Sequence, residues 1–149
     1  MSRLVNSWMA SAMLRFGRYQ VAEKRGERFL KLAAEARSRI TEISPLEAVA
    51  AIRRGARVFD VREKEEFRRG HLPNAAHLGR GTLEFEIERR VPDPGAEIVV
   101  YCGGGNRSAL SAENLQRMGY TNVKSIAGGL QAWIDADFPT LRTSQPMED

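Results

Sequence analysis

The chain has 149 residues, of which 42% are hydrophobic and 28% charged, and its formal net charge is +4. These values fit one packed domain and exclude a chain that is disordered throughout. No stretch approaches the ~20 apolar residues of a membrane-spanning helix. The single cysteine excludes an internal disulfide, a Cys-x-x-Cys redox pair and a multi-thiolate zinc site. We therefore expect no metal, and the expected location is a reducing compartment, the cytoplasm.

The basic charge is concentrated toward the N-terminus. Residues 1–43 carry nine Lys or Arg and four Asp or Glu, which gives a net charge of +5. Residues 44–149 carry fourteen Lys or Arg and fifteen Asp or Glu, which gives a net charge of −1. A nucleic-acid-binding domain carries its basic patch on the fold itself. The charge distribution therefore argues against a nucleic-acid partner.

Residues 1–39 are predicted to form a basic, amphipathic helical extension. A hydrophobic residue recurs at every fourth position from Leu4 to Phe16, and a charged helix is predicted from about Tyr19 to Arg39. Three interpretations of this arm stay open. In the first, the arm packs on its own domain or on a second copy of the chain. In the second, it lies on a membrane surface, and in the third it is a cleaved organellar presequence. An interaction with a protein partner through the arm is also open.

From residue 40 the pattern changes to short apolar strands that alternate with helices. Ser44-Pro45-Leu46-Glu47 has the residues of a capping box with proline at the first helical position. Strands are predicted at 41–43, 58–60, 75–78, 98–101 and 122–126, and helices at 45–53, 63–69, 83–90, 108–118 and 129–136. This alternation predicts an α/β domain over residues 40–139, with about five mainly parallel strands and helices on both faces of the sheet. A polar tail is expected at 140–149.

The residues after the predicted strand 98–101 carry the strongest chemical signal. Cys102 opens a loop that continues as Gly103, Gly104, Gly105, Asn106, Arg107 and Ser108. Successive glycines let backbone N–H groups turn toward one point, and a helix N-terminus attracts negative charge. Together with Arg107, these groups would favour the thiolate form of the sulfur. A lone cysteine is most often a small buried apolar residue, but this loop predicts a reactive one.

Four loops are expected to meet this cysteine. Ligands bind beyond the carboxyl ends of the strands in a parallel sheet, and those ends are followed here by residues 60–62, 78–81, 102–107 and 127–129. The sequence therefore predicts one site at this edge of the sheet.

Four short motifs follow one another in the predicted domain. They are Asp60-Val61-Arg62-Glu63, Gly70-His71-Leu72-Pro73-Asn74-Ala75, the Cys-x-x-Gly-x-Arg-Ser loop of residues 102–108, and Gly128-Gly129 with Ala132-Trp133. In this order they resemble the rhodanese family of sulfurtransferases, in particular its single-domain members. Asn74 stands where the family usually has glycine, and little effect is expected because Asn tolerates left-handed backbone geometry.

The resemblance implies a rhodanese-like fold and a thiosulfate sulfurtransferase type of enzyme that needs no cofactor. Cys102 would take a sulfane sulfur from thiosulfate or a persulfide and pass it, as a persulfide, to a thiol or to cyanide. Arg107 would either hold the loop through backbone carbonyls or contact the donor. Arg62 and Arg80 are candidates for donor binding by position, and Asp60 would orient its own loop. Because positions 103, 104 and 106 are uncharged, modest thiosulfate affinity is expected.

Two other functions are weighed against sulfur transfer. A phosphatase or arsenate reductase of the same fold also uses a cysteine, an arginine and an amide cradle, but those loops run Cys-x5-Arg. Here four residues separate Cys102 from Arg107, and the smaller ring suits a single sulfur better than a tetrahedral oxyanion. A rhodanese-like binding or regulatory module acting through the arm is the second alternative, although such modules often lack the cysteine.

Overall fold

The computed structural model describes residues 25–143. The predicted helix from Leu4 to Phe16 lies outside the described residues, as do the start of the charged helix and residues 144–149. The chain divides between Leu30 and Lys31, and the unit that begins at Lys31 is the one described below. No helix within residues 25–143 is both long and apolar enough to cross a membrane.

The described elements alternate between helix and strand. The helices are α1 Glu27–Arg37, α2 Pro45–Arg53, α3 Lys64–Arg69, α4 Leu83–Arg90, α5 Asn106–Arg117 and α6 Gly129–Asp135. The strands are β1 Thr41–Ile43, β2 Arg57–Asp60, β3 Ala75–His77, β4 Ile98–Tyr101 and β5 Val123–Ile126. The strands form one parallel sheet in the order β1-β5-β4-β2-β3. This confirms the predicted α/β class with five strands, all of them parallel.

The central strand β4 shows why the sheet is covered on both faces. All four of its residues are buried, and alternate residues point to opposite faces of a strand. Ile98 and Val100 pack in one core cluster with residues of α4 and α5. Val99 and Tyr101 pack in a second cluster with residues of α2 and α6. A strand buried on both sides is apolar throughout, as the sequence of β4 is.

Local signals in the sequence fix several boundaries. The Ser44 hydroxyl accepts a hydrogen bond from the Glu47 N–H at 3.1 Å, and the Glu47 carboxylate accepts one from the Ser44 N–H at 3.0 Å, so the capping box is confirmed. Asn74 has a φ of 65°, the left-handed geometry expected of it.

The helix after Cys102 starts earlier than predicted. It begins at Asn106, not at Ser108, because Gly105 has a φ of 102° and already turns the chain into the helix. Asn106, Arg107 and Ser108 therefore belong to the first turn of α5, and their side chains are held by a rigid element.

Both ends of the predicted domain extend beyond residues 40–139. Ala33 and Ala36 in α1 are fully buried, so the compact unit includes chain that was assigned to the extension. At the other end, Leu141 forms an isolated antiparallel bridge with His71, and the Thr143 N–H donates to the Arg68 carbonyl at 3.0 Å. The first residues of the predicted tail are therefore attached to the domain.

Candidate active site

Cys102 lies at the carboxyl edge of β4 and is 1% exposed. The Gly105 N–H donates to its Sγ at 3.1 Å, and the Ser108 Oγ lies 3.4 Å from the same sulfur. The sulfur also sits at the N-terminal end of the twelve-residue helix α5. A backbone donor, a hydroxyl and a helix N-terminus all stabilise negative charge on an atom placed among them. The site therefore suits an anionic sulfur.

A buried serine from the neighbouring strand supports the Ser108 hydroxyl. Ser125 in β5 and Ser108 are both fully buried, and the Ser125 Oγ–H donates to the Ser108 Oγ at 2.8 Å. A hydroxyl has one proton, so this bond leaves the proton of Ser108 available to the sulfur. Ser125 was not among the predicted site residues, and the only signal for it is a polar residue in a buried strand.

The Ser125→Ala substitution tests this serine pair. Without the Ser125 donor, the Ser108 hydroxyl is free to rotate away, and we expect the rate at which Cys102 accepts sulfur from a donor to fall by about threefold to tenfold. Single-turnover measurement of sulfur loading gives this rate. The control is Ser111→Ala, a buried serine of α5 that donates to the Arg107 carbonyl at 2.9 Å and should leave the loading rate within about twofold. Equal rates for Ser125→Ala and the unmodified protein would contradict the prediction.

The N-terminus of α6 holds the backbone of the loop that starts at Cys102. The Leu130 N–H donates to the Cys102 carbonyl at 2.8 Å, and the Gln131 N–H donates to the Gly103 carbonyl at 3.1 Å. This approach is possible because Gly129 has no side chain. A Cβ there would overlap the Cys102 carbonyl oxygen and would lie 2.8 Å from the Gly103 carbonyl. The Gly128-Gly129 motif thus fixes the direction of the loop carbonyls.

Arg107 is held by a carboxylate, whereas the two partners expected for it were the backbone carbonyls of the loop and the donor. Its Nη1 and Nη2 donate to the two carboxylate oxygens of Glu66 in α3, at 2.7 and 3.1 Å. Burial would raise the pKa of Glu66, but the hydrogen bonds and charge of Arg107 outweigh it, so this pKa is lowered. The ion pair ties α5 to α3 and neutralises much of the Arg107 charge. Glu66 was missed, because nothing local in the sequence connects it to the cysteine loop.

Asp60 and Arg62 form a buried pair. Asp60 is fully buried and Arg62 is 6% exposed. The Arg62 Nη2 donates to the Asp60 Oδ2 at 2.7 Å and to the Gly70 carbonyl at 2.6 Å, and the Arg62 N–H donates to the Asp60 Oδ1 at 3.0 Å. These contacts fit the expected loop-orienting role of Asp60. They do not fit Arg62 as a donor-binding residue, because its guanidinium is already used inside the protein.

The two histidines lie beside this pair and contact the backbone. His71 stacks on Phe67 with a ring-centroid distance of 3.8 Å, and its Nδ1 is 2.7 Å from the Phe67 carbonyl. The His77 Nε2 is 2.7 Å from the Arg62 carbonyl. Both imidazole rings are therefore held by contacts within the fold. Within the part of the chain that the structure describes, no group of three or more His, Cys, Asp or Glu could hold a metal ion.

A residue of α1 reaches the loop that starts at Cys102. The Nη1 and Nη2 of Arg37 both donate to the Asn106 Oδ1, at 2.7 and 3.0 Å, and the contact is partly buried. Asn106 is the first residue of α5 and follows the Gly105 N–H that contacts the sulfur. The helix preceding β1 therefore helps to set the position of the loop, which the sequence did not predict.

Replacing Arg37 with methionine should loosen this loop. Methionine keeps much of the side-chain length but donates no hydrogen bond, so we expect about a threefold to tenfold lower kcat/KM for sulfur transfer. The matched control is Arg39→Met, which removes an exposed pair at 2.7 Å between the turn after α1 and Glu113 of α5, and should change kcat/KM by less than about twofold. Similar losses for both variants would show that the Asn106 contact has no special effect.

A cleft of about 390 Å³ opens beside the loop. Its lining residues are Val61, Glu63, Arg80, Gly81, Glu84, Arg107 and Asn114. The Arg80 N–H is bound to the Val61 carbonyl at 3.0 Å, which fixes its backbone at the carboxyl edge of the sheet. Within residues 25–143 the Arg80 guanidinium has no hydrogen-bond or ion-pair partner, so it is available to a ligand. Of the two arginines predicted for the donor by position, the structure favours Arg80.

The fold and the site together define a class of protein: a parallel α/β domain with one cysteine at the start of a loop whose groups suit negative charge. A family model, the Rhodanese-like domain, matches residues 44–136. The chain belongs to the rhodanese family, and it is a rhodanese-type sulfurtransferase.

Individual relatives agree with this assignment. The chain is 36% identical over 96 residues to thiosulfate sulfurtransferase GlpE of Pseudomonas entomophila, covering 64% of this chain and 86% of that one. The solution structure of the polysulfide-sulfur transferase homodimer of Wolinella succinogenes matches with a TM-score of 0.68 and 26% identity, over 78% of this chain and 89% of that one. A Rhodopseudomonas palustris structure, described as of unknown function and a possible tyrosine phosphatase, matches with a TM-score of 0.66 and 35% identity. The match covers 79% of this chain and 96% of that one.

Proposed function

We propose that this protein moves a sulfane sulfur from thiosulfate or a persulfide to a thiol acceptor through a persulfide on Cys102. The observation that carries the proposal is the placement of the Gly105 N–H and the Ser108 hydroxyl at the cysteine sulfur, 3.1 and 3.4 Å away. The names of the Pseudomonas and Wolinella relatives, a thiosulfate and a polysulfide sulfurtransferase, support the same chemistry. The single unpaired thiol supports a reducing compartment, the cytoplasm, as the place where it works.

In the first half-reaction the Cys102 thiolate attacks the outer sulfur of the donor. A new S–S bond forms at Cys102, and the S–S bond of the donor breaks. With thiosulfate, sulfite leaves with the electron pair of that bond, so the charge of minus three on the reactants is kept in the persulfide anion and the sulfite dianion. No external oxidant or reductant is consumed, and no proton has to move.

In the second half-reaction an acceptor thiolate attacks the outer sulfur of the Cys102 persulfide. The acceptor becomes a persulfide and Cys102 returns to the thiolate. Cyanide would attack the same sulfur and leave as thiocyanate. The negative charge lies on sulfur within the loop in every stable state. Donors that are already in place stabilise such a charge without reorganising, which explains a rigid loop held by α6, Glu66 and Arg37.

The loop is less suited to phosphate chemistry. Four residues separate Cys102 from Arg107, one fewer than in the Cys-x5-Arg loops of phosphatases, and the Arg107 guanidinium is paired with Glu66 at 2.7 Å. A phosphate ester would have to compete with that carboxylate for the arginine. This weighs against the phosphatase alternative that the description of the Rhodopseudomonas structure raises.

Two-substrate kinetics test the proposal. With thiosulfate and cyanide varied together, double-reciprocal plots should give parallel lines, the signature of a covalent intermediate, and Cys102→Ser should abolish thiocyanate formation. Intersecting lines, or activity that survives in Cys102→Ser, would contradict a Cys102 persulfide. Hydrolysis of p-nitrophenyl phosphate that disappears in Cys102→Ser would favour the phosphatase instead.

A further inference from the structure

We infer that the cleft beside the loop selects zwitterionic persulfides, low-molecular-weight donors that carry both a carboxylate and an ammonium group. The inference rests on the proposed function and names the class of donor for the same cysteine. It is carried by the mixed charge of the cleft, which contains two arginines and two glutamates.

The cleft adjoins the loop that holds the reacting sulfur. Arg107, in the first turn of α5, is a residue of both the loop and the cleft. On the opposite side, Val61 packs in the same core cluster as Cys102, and its N–H donates to the Tyr101 carbonyl at 3.1 Å, one residue before the cysteine. A donor in the cleft therefore has its reactive end next to the catalytic loop. The volume of about 390 Å³ is enough for an amino-acid or short-peptide persulfide.

The positive charge of the cleft comes mainly from Arg80. Arg107 also lines the cleft, but Glu66 forms an ion pair with it at 2.7 Å. Arg80 has no polar side-chain partner within the described part of the chain, and its planar guanidinium binds a carboxylate through two parallel hydrogen bonds. Next to it, Gly81 leaves open space, because a Cβ there would meet nothing within 4 Å. A donor carboxylate is the group that fits this arginine.

The negative charge of the cleft comes from Glu63 and Glu84. The Glu84 Oε1 accepts a hydrogen bond from the Asn114 Nδ2 at 3.3 Å, which holds the carboxylate at the cleft, and no Lys or Arg within residues 25–143 forms an ion pair with it. Glu63 follows the Asp60–Arg62 pair and is exposed. These two carboxylates attract an ammonium group and repel a compact dianion. Thiosulfate therefore gains from Arg80 but loses to both glutamates, whereas a zwitterion gains from all three.

The step on such a donor is balanced in the same way as with thiosulfate. The Cys102 thiolate bonds to the outer sulfur of the persulfide, the S–S bond of the donor breaks, and the donor leaves as its thiolate. Any proton on the outer sulfur stays with it. The carboxylate and ammonium groups take no part in bond changes, so their effect appears in binding.

The test compares three donors on the full chain: glutathione persulfide as the donor with a zwitterionic γ-glutamyl end, the persulfide of 2-mercaptoethanol as the donor without carboxylate or ammonium, and thiosulfate as the dianion. We expect kcat/KM for glutathione persulfide to exceed that of both other donors by about tenfold or more. Glu84→Gln keeps an acceptor for Asn114 but removes the charge. It should lower kcat/KM for glutathione persulfide by about threefold to tenfold, raise that for thiosulfate, and lower that for the 2-mercaptoethanol persulfide not at all, because this donor has no ammonium group.

Glu88→Gln is the matched control, because it removes a carboxylate from an exposed position of the same helix α4 outside the cleft lining. It should change none of the three values. Equal kcat/KM for glutathione persulfide and 2-mercaptoethanol persulfide, or a Glu84→Gln effect that is the same for all donors, would overturn the inference while leaving sulfur transfer by Cys102 intact. If no donor places sulfur on Cys102, the proposed function itself is wrong.

Discussion

Replacing Gly129 with alanine will reduce sulfur transfer about a hundredfold and lower the free energy of unfolding by about 3 kcal/mol or more. Gly129 has a φ of 58°, and a Cβ there would overlap the Cys102 carbonyl and lie 2.8 Å from Gly103 backbone atoms. All the atoms met belong to the backbone of residues 102 and 103, so no side-chain rotation relieves the clash. The loop must move away from α6, and the bonds from the Leu130 and Gln131 N–H groups must lengthen or break.

Gly70→Ala is the control for this substitution. Gly70 ends α3 with a φ of 170°, which any residue adopts, and a Cβ there would meet nothing within 4 Å. It should leave both activity and stability nearly unchanged. Urea unfolding measures the free energy and thiocyanate formation measures the activity. A Gly129→Ala protein as stable and active as Gly70→Ala would show that α6 does not hold the loop.

Removing Arg62 will destabilise the protein by about 3 to 5 kcal/mol, because it leaves the Asp60 carboxylate buried without its partner. We expect this from Arg62→Met, in which the hydrogen bonds at 2.6 and 2.7 Å to Gly70 and Asp60 are lost. Arg54→Met removes the pair between Arg54 and Glu97 at 2.9 Å, in which the arginine is exposed, and should cost less than about 1 kcal/mol.

Urea unfolding of the two arginine variants gives the comparison directly. A large loss for Arg62→Met and a small one for Arg54→Met would assign Arg62 a structural role. If Arg62→Met kept its stability but showed a raised KM for thiosulfate, the original expectation that Arg62 binds the donor would hold instead.

The fold could be predicted from the sequence because its elements are marked by local signals. The capping box before α2, the left-handed Asn74 and the apolar strand β4 each depend on residues close together in the chain. The position of Cys102 at a strand end followed from the same signals. The start of α5 was predicted two residues too late, because the left-handed φ of Gly105 turns the chain into the helix and this φ cannot be read from the sequence.

The supports of the loop could not be predicted because they join distant parts of the chain. Glu66 and Arg107 are 41 residues apart, and Arg37 and Asn106 are 69 apart. Charged residues of either sign are frequent in this sequence, so periodicity and spacing do not say which of them will meet. Only the order of the strands and the angles of the helices bring these side chains together.

Intact-mass measurement of the protein after incubation with a sulfur donor tests the central claim most directly. The account predicts that the chain gains one sulfur atom, that cyanide removes it with formation of thiocyanate, and that Cys102→Ala gains none. A protein whose mass stays unchanged with every donor, or a Cys102→Ala protein that still takes up the sulfur, would contradict it.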